Sequence, residues 1–166
     1  MGVTVKICGL TSAEAADAAA RAGAEYGGLV FHPASPRNLG LEQARAISGA
    51  MAGKLKRVAL VADRSDAELA AIIAAVSPEY LQLHGGESVA RTAEIRARFG
   101  LPVIKALPVA EADDLQAAGD YAPVADMLLF DAKAPKWPPT SGPERREFTK
   151  RLEMGVMPAP VAAWRR

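Results

Sequence analysis

Five short stretches of the sequence carry side chains capable of proton transfer or of holding an anion. Lys6 and Cys8 lie two residues apart in Val5-Lys6-Ile7-Cys8-Gly9-Leu10-Thr11. Gln82 and His84 have the same spacing in Leu81-Gln82-Leu83-His84-Gly85. Lys105 follows Val103-Ile104, and Asp131 follows Leu129-Phe130. A thiol, an imidazole, a carboxyl and amines suit general acid–base chemistry. Arg37, in the proline-stiffened stretch Phe31-His32-Pro33-Ala34-Ser35-Pro36-Arg37, is able to grip a carboxylate through two parallel hydrogen bonds. Two distant histidines and one cysteine speak against a metal site. Each residue also has a plainer role. A lone cysteine packs as a small hydrophobe, and interior lysines pair with interior carboxylates. His84 before Gly85-Gly86 is compatible with a turn, Asp131 with a loop cap, and Arg37 with a solvated surface.

What would bring these side chains together is a repeat. Short β-branched or Leu-rich runs recur at Val3–Ile7, Tyr26–Val30, Arg57–Val61, Tyr80–Leu83, Pro102–Lys105 and Asp126–Phe130. Ala-rich amphipathic stretches separate them, at Ser12–Ala22, Leu41–Met51, Ser65–Val76, Glu87–Phe99 and Ala110–Ala118. Ser12 and Ser65 suit helix N-caps, and Gly23, Gly53 and Gly100 suit helix stops. Alternating βα units imply a parallel sheet, either open and doubly wound or closed as a (β/α)₈ TIM barrel. The first βα turn, Cys8-Gly9-Leu10-Thr11, has one glycine and no Gly-rich phosphate loop, which favours the barrel. Barrel chemistry gathers at the C-terminal ends of the strands. Side chains alternate along a strand, so Lys6 and Cys8 share a face, as do Gln82 and His84. Lys105 is expected on the same inner side.

Bulk properties narrow the class. The chain has 166 residues, 50% hydrophobic, with a formal net charge of +1. That balance gives no electrostatic handle for nucleic acid or an anionic membrane. No apolar run approaches the ~20 residues of a membrane helix, and no basic leader precedes an apolar segment. A single cysteine fits a reducing, cytoplasmic setting. The charge is uneven, however. Residues 1–133 hold 13 basic and 16 acidic side chains, and residues 134–166 hold 7 and 3. The tail also carries 6 of the 12 prolines and both tryptophans. The division expected is βα units one to six over 1–133, then an atypical tail over 134–166, irregular or disordered apart from a short helix at 144–154. Six units fall short of the eight, over ~250 residues, of a complete barrel. The shift in composition reads as a frame change in the gene, with a genuinely shortened protein as the other explanation. An unclosed sheet leaves edges that invite self-association.

The motifs Val5-Lys6-Ile7-Cys8-Gly9-Leu10-Thr11, Gly28-Leu29-Val30-Phe31, Ser35-Pro36-Arg37, Leu81-Gln82-Leu83-His84-Gly85, Val103-Ile104-Lys105-Ala106 and Leu129-Phe130-Asp131-Ala132-Lys133 together resemble the phosphoribosylanthranilate isomerases of tryptophan biosynthesis. The resemblance implies an Amadori rearrangement. N-(5-phosphoribosyl)anthranilate, a phosphorylated small molecule, becomes 1-(2-carboxyphenylamino)-1-deoxyribulose 5-phosphate without a cofactor. It implies Cys8 as general base and Asp131 as general acid, with Arg37, Lys6, Phe31 and His84 around the substrate. Arg37 would hold the anthranilate carboxylate and the Phe31 region would border the ring. An ordinary thiol is only a few per cent ionised at neutral pH, so Lys6 or Lys105 is expected to favour the Cys8 thiolate. After Lys136 the resemblance ends. The family's last two strands, whose turns bind the substrate phosphate, have no counterpart. The alternative to a working isomerase is thus a non-catalytic truncated barrel lacking the phosphate site. A weaker alternative is a related barrel acting on another phosphorylated ribose.

Overall fold

The computed structural model describes residues 3–132. Met1–Asp131 cluster as one unit and Ala132–Arg166 as another. The elements below belong to the first unit and the closing residue of its last strand. In chain order they are β1 (Lys6–Cys8), α1 (Ala13–Arg21), β2 (Tyr26–Phe31), α2 (Leu41–Met51), β3 (Lys56–Val61), α3 (Asp66–Val76), β4 (Tyr80–Leu83), α4 (Val89–Phe99) and β5 (Val103–Val109). A 3₁₀ turn (Ala112–Gln116), α5 (Ala117–Tyr121) and β6 (Met127–Ala132) complete them. The irregular tail and the helix expected at 144–154 fall outside the described residues.

The six strands form one sheet in the sequential order β1-β2-β3-β4-β5-β6, with parallel pairing from β1 through β5. That order settles the architecture. A doubly wound sheet reverses direction at a switch point, whereas strands added one after another by right-handed crossovers put every helix on the same side. The core accordingly lies between that side of the sheet and the helices. Leu29, Ala59, Val61, Leu81, Leu83 and Val103 from the strands meet Ala44, Met51, Leu69, Val76 and Ile95 from the helices, all buried. Each fully buried leucine contributes about 1.5–3 kcal/mol.

The opposite face of the sheet is concave. Lys6 Nζ on β1 donates to Gln82 Oε1 on β4 at 2.7 Å. Three strand spacings in a flat sheet would separate these strands by roughly 14 Å, so only a curled sheet allows the contact. The expected barrel curvature is therefore present in the strands described.

Local signals act as read from the sequence at several ends. Ser12 caps α1 by accepting from Ala15 N. Ser65 and Glu68 close a reciprocal capping box on α3. Gly100 ends α4 in the left-handed region at φ 63°. Elsewhere the limits move. β1 begins at Lys6 instead of Val3, because the neighbouring amides of Glu25 and Tyr26 both reach only as far back as Val5 O. β5 runs past Lys105 to Val109 despite Pro108. Its pairing with β4 involves Val103 to Lys105 alone, so Pro108 lies beyond that ladder, where no amide is required of it. The stretch expected as a helix over 110–118 divides into the 3₁₀ turn and the short α5. α4 starts at Val89 with Ser88 as its cap, which releases Glu87 from the helix.

Candidate functional site

Three strands and one loop bring polar side chains to the C-terminal end of the concave face. Lys6 and Cys8 come from β1, Gln82 and His84 from β4 and the residue following it, and Asp131 from β6. The loop after β2 adds His32 and Arg37. All of them line one cavity of about 370 Å³, whose apolar surface is Val30, Leu60 and Leu129. Register explains the convergence. Cys8 pairs with Gly28, Gly28 with Val58, and Leu60 with Gln82, so these positions project to one side.

Gly28 makes the corner around Cys8 possible. A Cβ at this position would lie 2.9 Å from Cys8 Sγ, 3.1 Å from Cys8 Cα and 3.3 Å from Lys6 Nζ. The thiol and the ammonium thus share the space that a side chain on β2 would fill. A glycine inside a strand is a sequence signal for such close approach. Gly28→Ala is expected to cost about 1–3 kcal/mol by overpacking, because part of what it meets is backbone. Urea unfolding of the variant checks this, and an unchanged midpoint would show that the corner relaxes freely.

Arg37 is held in two ways. Its Nη1 donates to Cys8 O at 3.1 Å. Its side chain also lies directly over Gly9, which has φ 83° and whose missing Cβ would collide with the Arg37 Cδ, Nε and Nη1 atoms. The turn after β1 therefore seats the guanidinium as well as presenting the thiol. With Lys6 it gives the cavity two cations beside a single carboxylate, Asp131.

Across the cavity, polar contacts run in series. After Lys6 Nζ and Gln82 Oε1, Gln82 Nε2 lies 3.0 Å from His84 Nδ1. His84 Nε2 lies 3.1 Å from Asp131 Oδ2. Gln82 is 1% exposed.

Two expectations change. Lys105 does not face the cavity. It pairs with Leu83, and like Leu83 it points to the helix side, where its Nζ donates to Glu87 Oε2 and to Gly85 O, each at 2.8 Å. It cannot assist the Cys8 thiol, and the plainer reading, a lysine paired with an interior carboxylate, describes it. Phe31 is also outside the cavity, 3% exposed and part of the core. Strand alternation gives the inner face to Val30 and His32 instead.

Glu87 is the residue that sequence reasoning missed. Its carboxylate accepts from Asp63 N at 2.8 Å, from Gly85 N at 3.0 Å and from Lys105. Burial pushes this carboxyl up, but the Lys105 ammonium and the backbone amides of Asp63 and of Glu87 itself outweigh burial and hold it below the ordinary glutamate range. It ties together the loops after β3 and β4, directly beside His84. Gly85 permits the join, since a Cβ there would lie 2.7 Å from Asp63 N.

A larger groove, about 510 Å³, opens at the other end of the strands around Arg96, Pro102 and Asp126. Its charges are spent on each other, with Arg96 donating twice to Asp126 at 2.7 and 2.9 Å. Among the described residues, no group of three His, Cys, Asp or Glu side chains is placed to hold a metal ion. No described helix is long and apolar enough to cross a membrane.

A sequentially wound parallel α/β sheet with its reactive side chains at the C-terminal strand ends defines an α/β-barrel of the enzyme-bearing kind. Comparison with known proteins specifies which. Residues 5–137 match the family model of N-(5′-phosphoribosyl)anthranilate isomerase. The chain belongs to that family. An isomerase of this name from Rhodopseudomonas palustris strain BisA53 is 56% identical over 136 residues, covering 82% of this chain and 62% of that protein. One from Azorhizobium caulinodans is 49% identical over 158 residues, 95% of this chain and 69% of that protein. The latter alignment extends into the stretch that looks foreign in the sequence. The crystal structure of the Thermotoga maritima enzyme superimposes with a TM-score of 0.74 at 31% identity, over 84% of this chain and 66% of that one. Another solved member, in complex with reduced 1-(o-carboxyphenylamino)-1-deoxyribulose 5-phosphate, gives 0.72 at 32% identity, over 79% and 66%. The chain spans about 62% of the length of the first of these relatives.

Proposed function

We propose that this chain carries out the isomerisation of N-(5-phosphoribosyl)anthranilate to 1-(2-carboxyphenylamino)-1-deoxyribulose 5-phosphate, a step of tryptophan biosynthesis. The observation that carries the reading is the placement of Cys8 and Asp131 on one cavity, with Arg37 between the β1 turn and the β2 loop. Asp131, as acid, protonates the ring oxygen of the ribose. The C1′–oxygen bond breaks and leaves an iminium at C1′. The Cys8 thiolate removes the C2′ proton, and the electron pair of that bond moves to C1′–C2′ to give the enolamine. Ketonisation at C2′ with proton return at C1′ completes an internal redox change, so no external oxidant or cofactor is required.

Arg37 suits the anthranilate carboxylate, as a planar fork over Gly9. Lys6 Nζ and Cys8 Sγ share the corner that Gly28 leaves open. His84 contacts Asp131 and borders the same space. A lone free thiol is kept reduced most readily in a reducing compartment, which supports a cytoplasmic reaction. Residues 1–133 are the catalytic portion in this reading. Val5 and Ile7, each 42% exposed, and Phe130, 53% exposed, leave apolar surface at β1 and β6 that supports self-association. Sedimentation at rising concentration tests that point, and a constant monomer would exclude it.

The decisive experiment follows the fluorescence of phosphoribosylanthranilate during incubation with the full chain. Turnover that disappears in Asp131→Asn supports the proposal. Binding of a product analogue with no turnover would favour the non-catalytic reading.

A further inference from the structure

We infer that Gln82 is a positioning residue which, anchored by the Lys6 ammonium, fixes the tautomer of His84 and thereby decides which oxygen of Asp131 carries the catalytic proton. The inference rests on the proposed function for its catalytic half.

The argument starts at Lys6, because an ammonium has donors and no acceptor. The Gln82 atom 2.7 Å from it must be the carbonyl oxygen. That fixes the amide, so the atom facing His84 is the NH₂ nitrogen, which can only donate. At 3.0 Å it requires a lone pair on His84 Nδ1. With Nδ1 unprotonated, the imidazole is neutral and its hydrogen is on Nε2. That N–H then donates to Asp131 Oδ2. A proton on Oδ2 would have no acceptor on the ring, so the acid form of Asp131 holds its proton on Oδ1.

The series serves an acid. Once the proton has left Oδ1, the carboxylate is already bonded to a fixed N–H donor on its other oxygen, an interaction stronger with the anion than with the neutral acid. Charged or titratable groups around the imidazole are Asp131 from β6, Lys6 from β1 through Gln82, and Arg37 and His32 from the loop after β2. Asp63 from the loop after β3 meets the backbone at Gly85 next to it.

The test is ¹⁵N NMR of the full chain labelled at histidine, with His84 assigned by comparison with His32→Gln. The expected pattern at neutral pH is a neutral ring protonated at Nε2. A ring protonated at Nδ1, or an imidazolium, overturns the proposal without any assay of turnover, and so independently of the proposed function. Gln82→Glu replaces the donor with an acceptor and should transfer the hydrogen to Nδ1, while Gln82→Met should abolish the single-tautomer pattern. Retention of the wild-type pattern in either folded variant would also overturn it. In the turnover assay the same variants should lower kcat roughly 10- to 100-fold with KM nearly unchanged. An unchanged kcat alongside a switched tautomer would remove the catalytic half. The wild-type spectrum keeps the proposal open to refutation even if a substitution at this buried position prevents folding.

Discussion

Cys8→Ala is expected to lower turnover of phosphoribosylanthranilate by roughly 10²–10⁴-fold, the range associated with a positioned general base. Binding should be largely spared. The thiol is one of eight polar side chains on the cavity, and the Arg37 guanidinium bonds the Cys8 carbonyl, not its sulfur. The loss should therefore appear in kcat, with KM changed little. Cys8→Ser retains the shape and a hydroxyl but not the acidity, and should resemble the alanine variant. A serine variant within threefold of wild type would show that another group takes the C2′ proton.

Glu87→Gln carries the second large effect, and it acts on stability. The Glu87 and Lys105 side chains are each 3% exposed and 2.8 Å apart. Removing one charge leaves the other buried without a counter-charge, at a cost of about 3–5 kcal/mol. Set against a total of roughly 5–15 kcal/mol, that is enough to lower the urea midpoint by at least about 1 M. Lys105→Met in the Glu87→Gln background should recover part of the loss, because the pair would then vanish together. The dependence on pH has a definite sign. Glu87 is ionised more readily when folded than when unfolded, so the folded state binds fewer protons at this site. Its stabilisation is complete above the ordinary glutamate value of 4.5 and disappears as acid takes the pH below that and through the lowered folded value. Glu87→Gln should flatten that part of the pH–stability curve, and an unaltered acid limb would refute the assignment.

The sequence made the inner face of β1 readable because its alternation is chemically marked. Lys6 and Cys8 stand against Val5 and Ile7, and only one of those pairs suits a reactive cavity. The same period placed Gln82 beside His84. β2 and β5 lack that contrast. In Val30-Phe31 and in Val103-Ile104-Lys105-Ala106-Leu107 both faces are buried, one against helices and one inside the curl, so hydrophobicity does not distinguish them. Phe31 and Lys105 could be assigned only through register with a neighbour, Gly28 opposite Cys8 and Leu83 opposite Lys105. Glu87 was hidden for another reason. It immediately precedes Ser88, and an acidic residue there looks like part of a helix start, whereas its partners are Asp63 N and Lys105, 24 and 18 positions away. Gly28 was the one signal present and overlooked, a glycine in mid-strand with its purpose on the adjacent chain segment.

The sequential strand order has a mechanical side. Among the described residues Cys8 is on the first strand and Asp131 on the last, so the gap between the proposed base and the proposed acid behaves like the opening of a pair of calipers whose bow is the sheet. A few degrees of altered roll at each interstrand step would add up across the bow and reappear as ångströms at the tips. The Lys6–Gln82 and His84–Asp131 contacts are then crossbars that set the jaw width. Substitutions far out on the helix side, by changing how tightly the bow is bent, would retune the reaction without touching either tip.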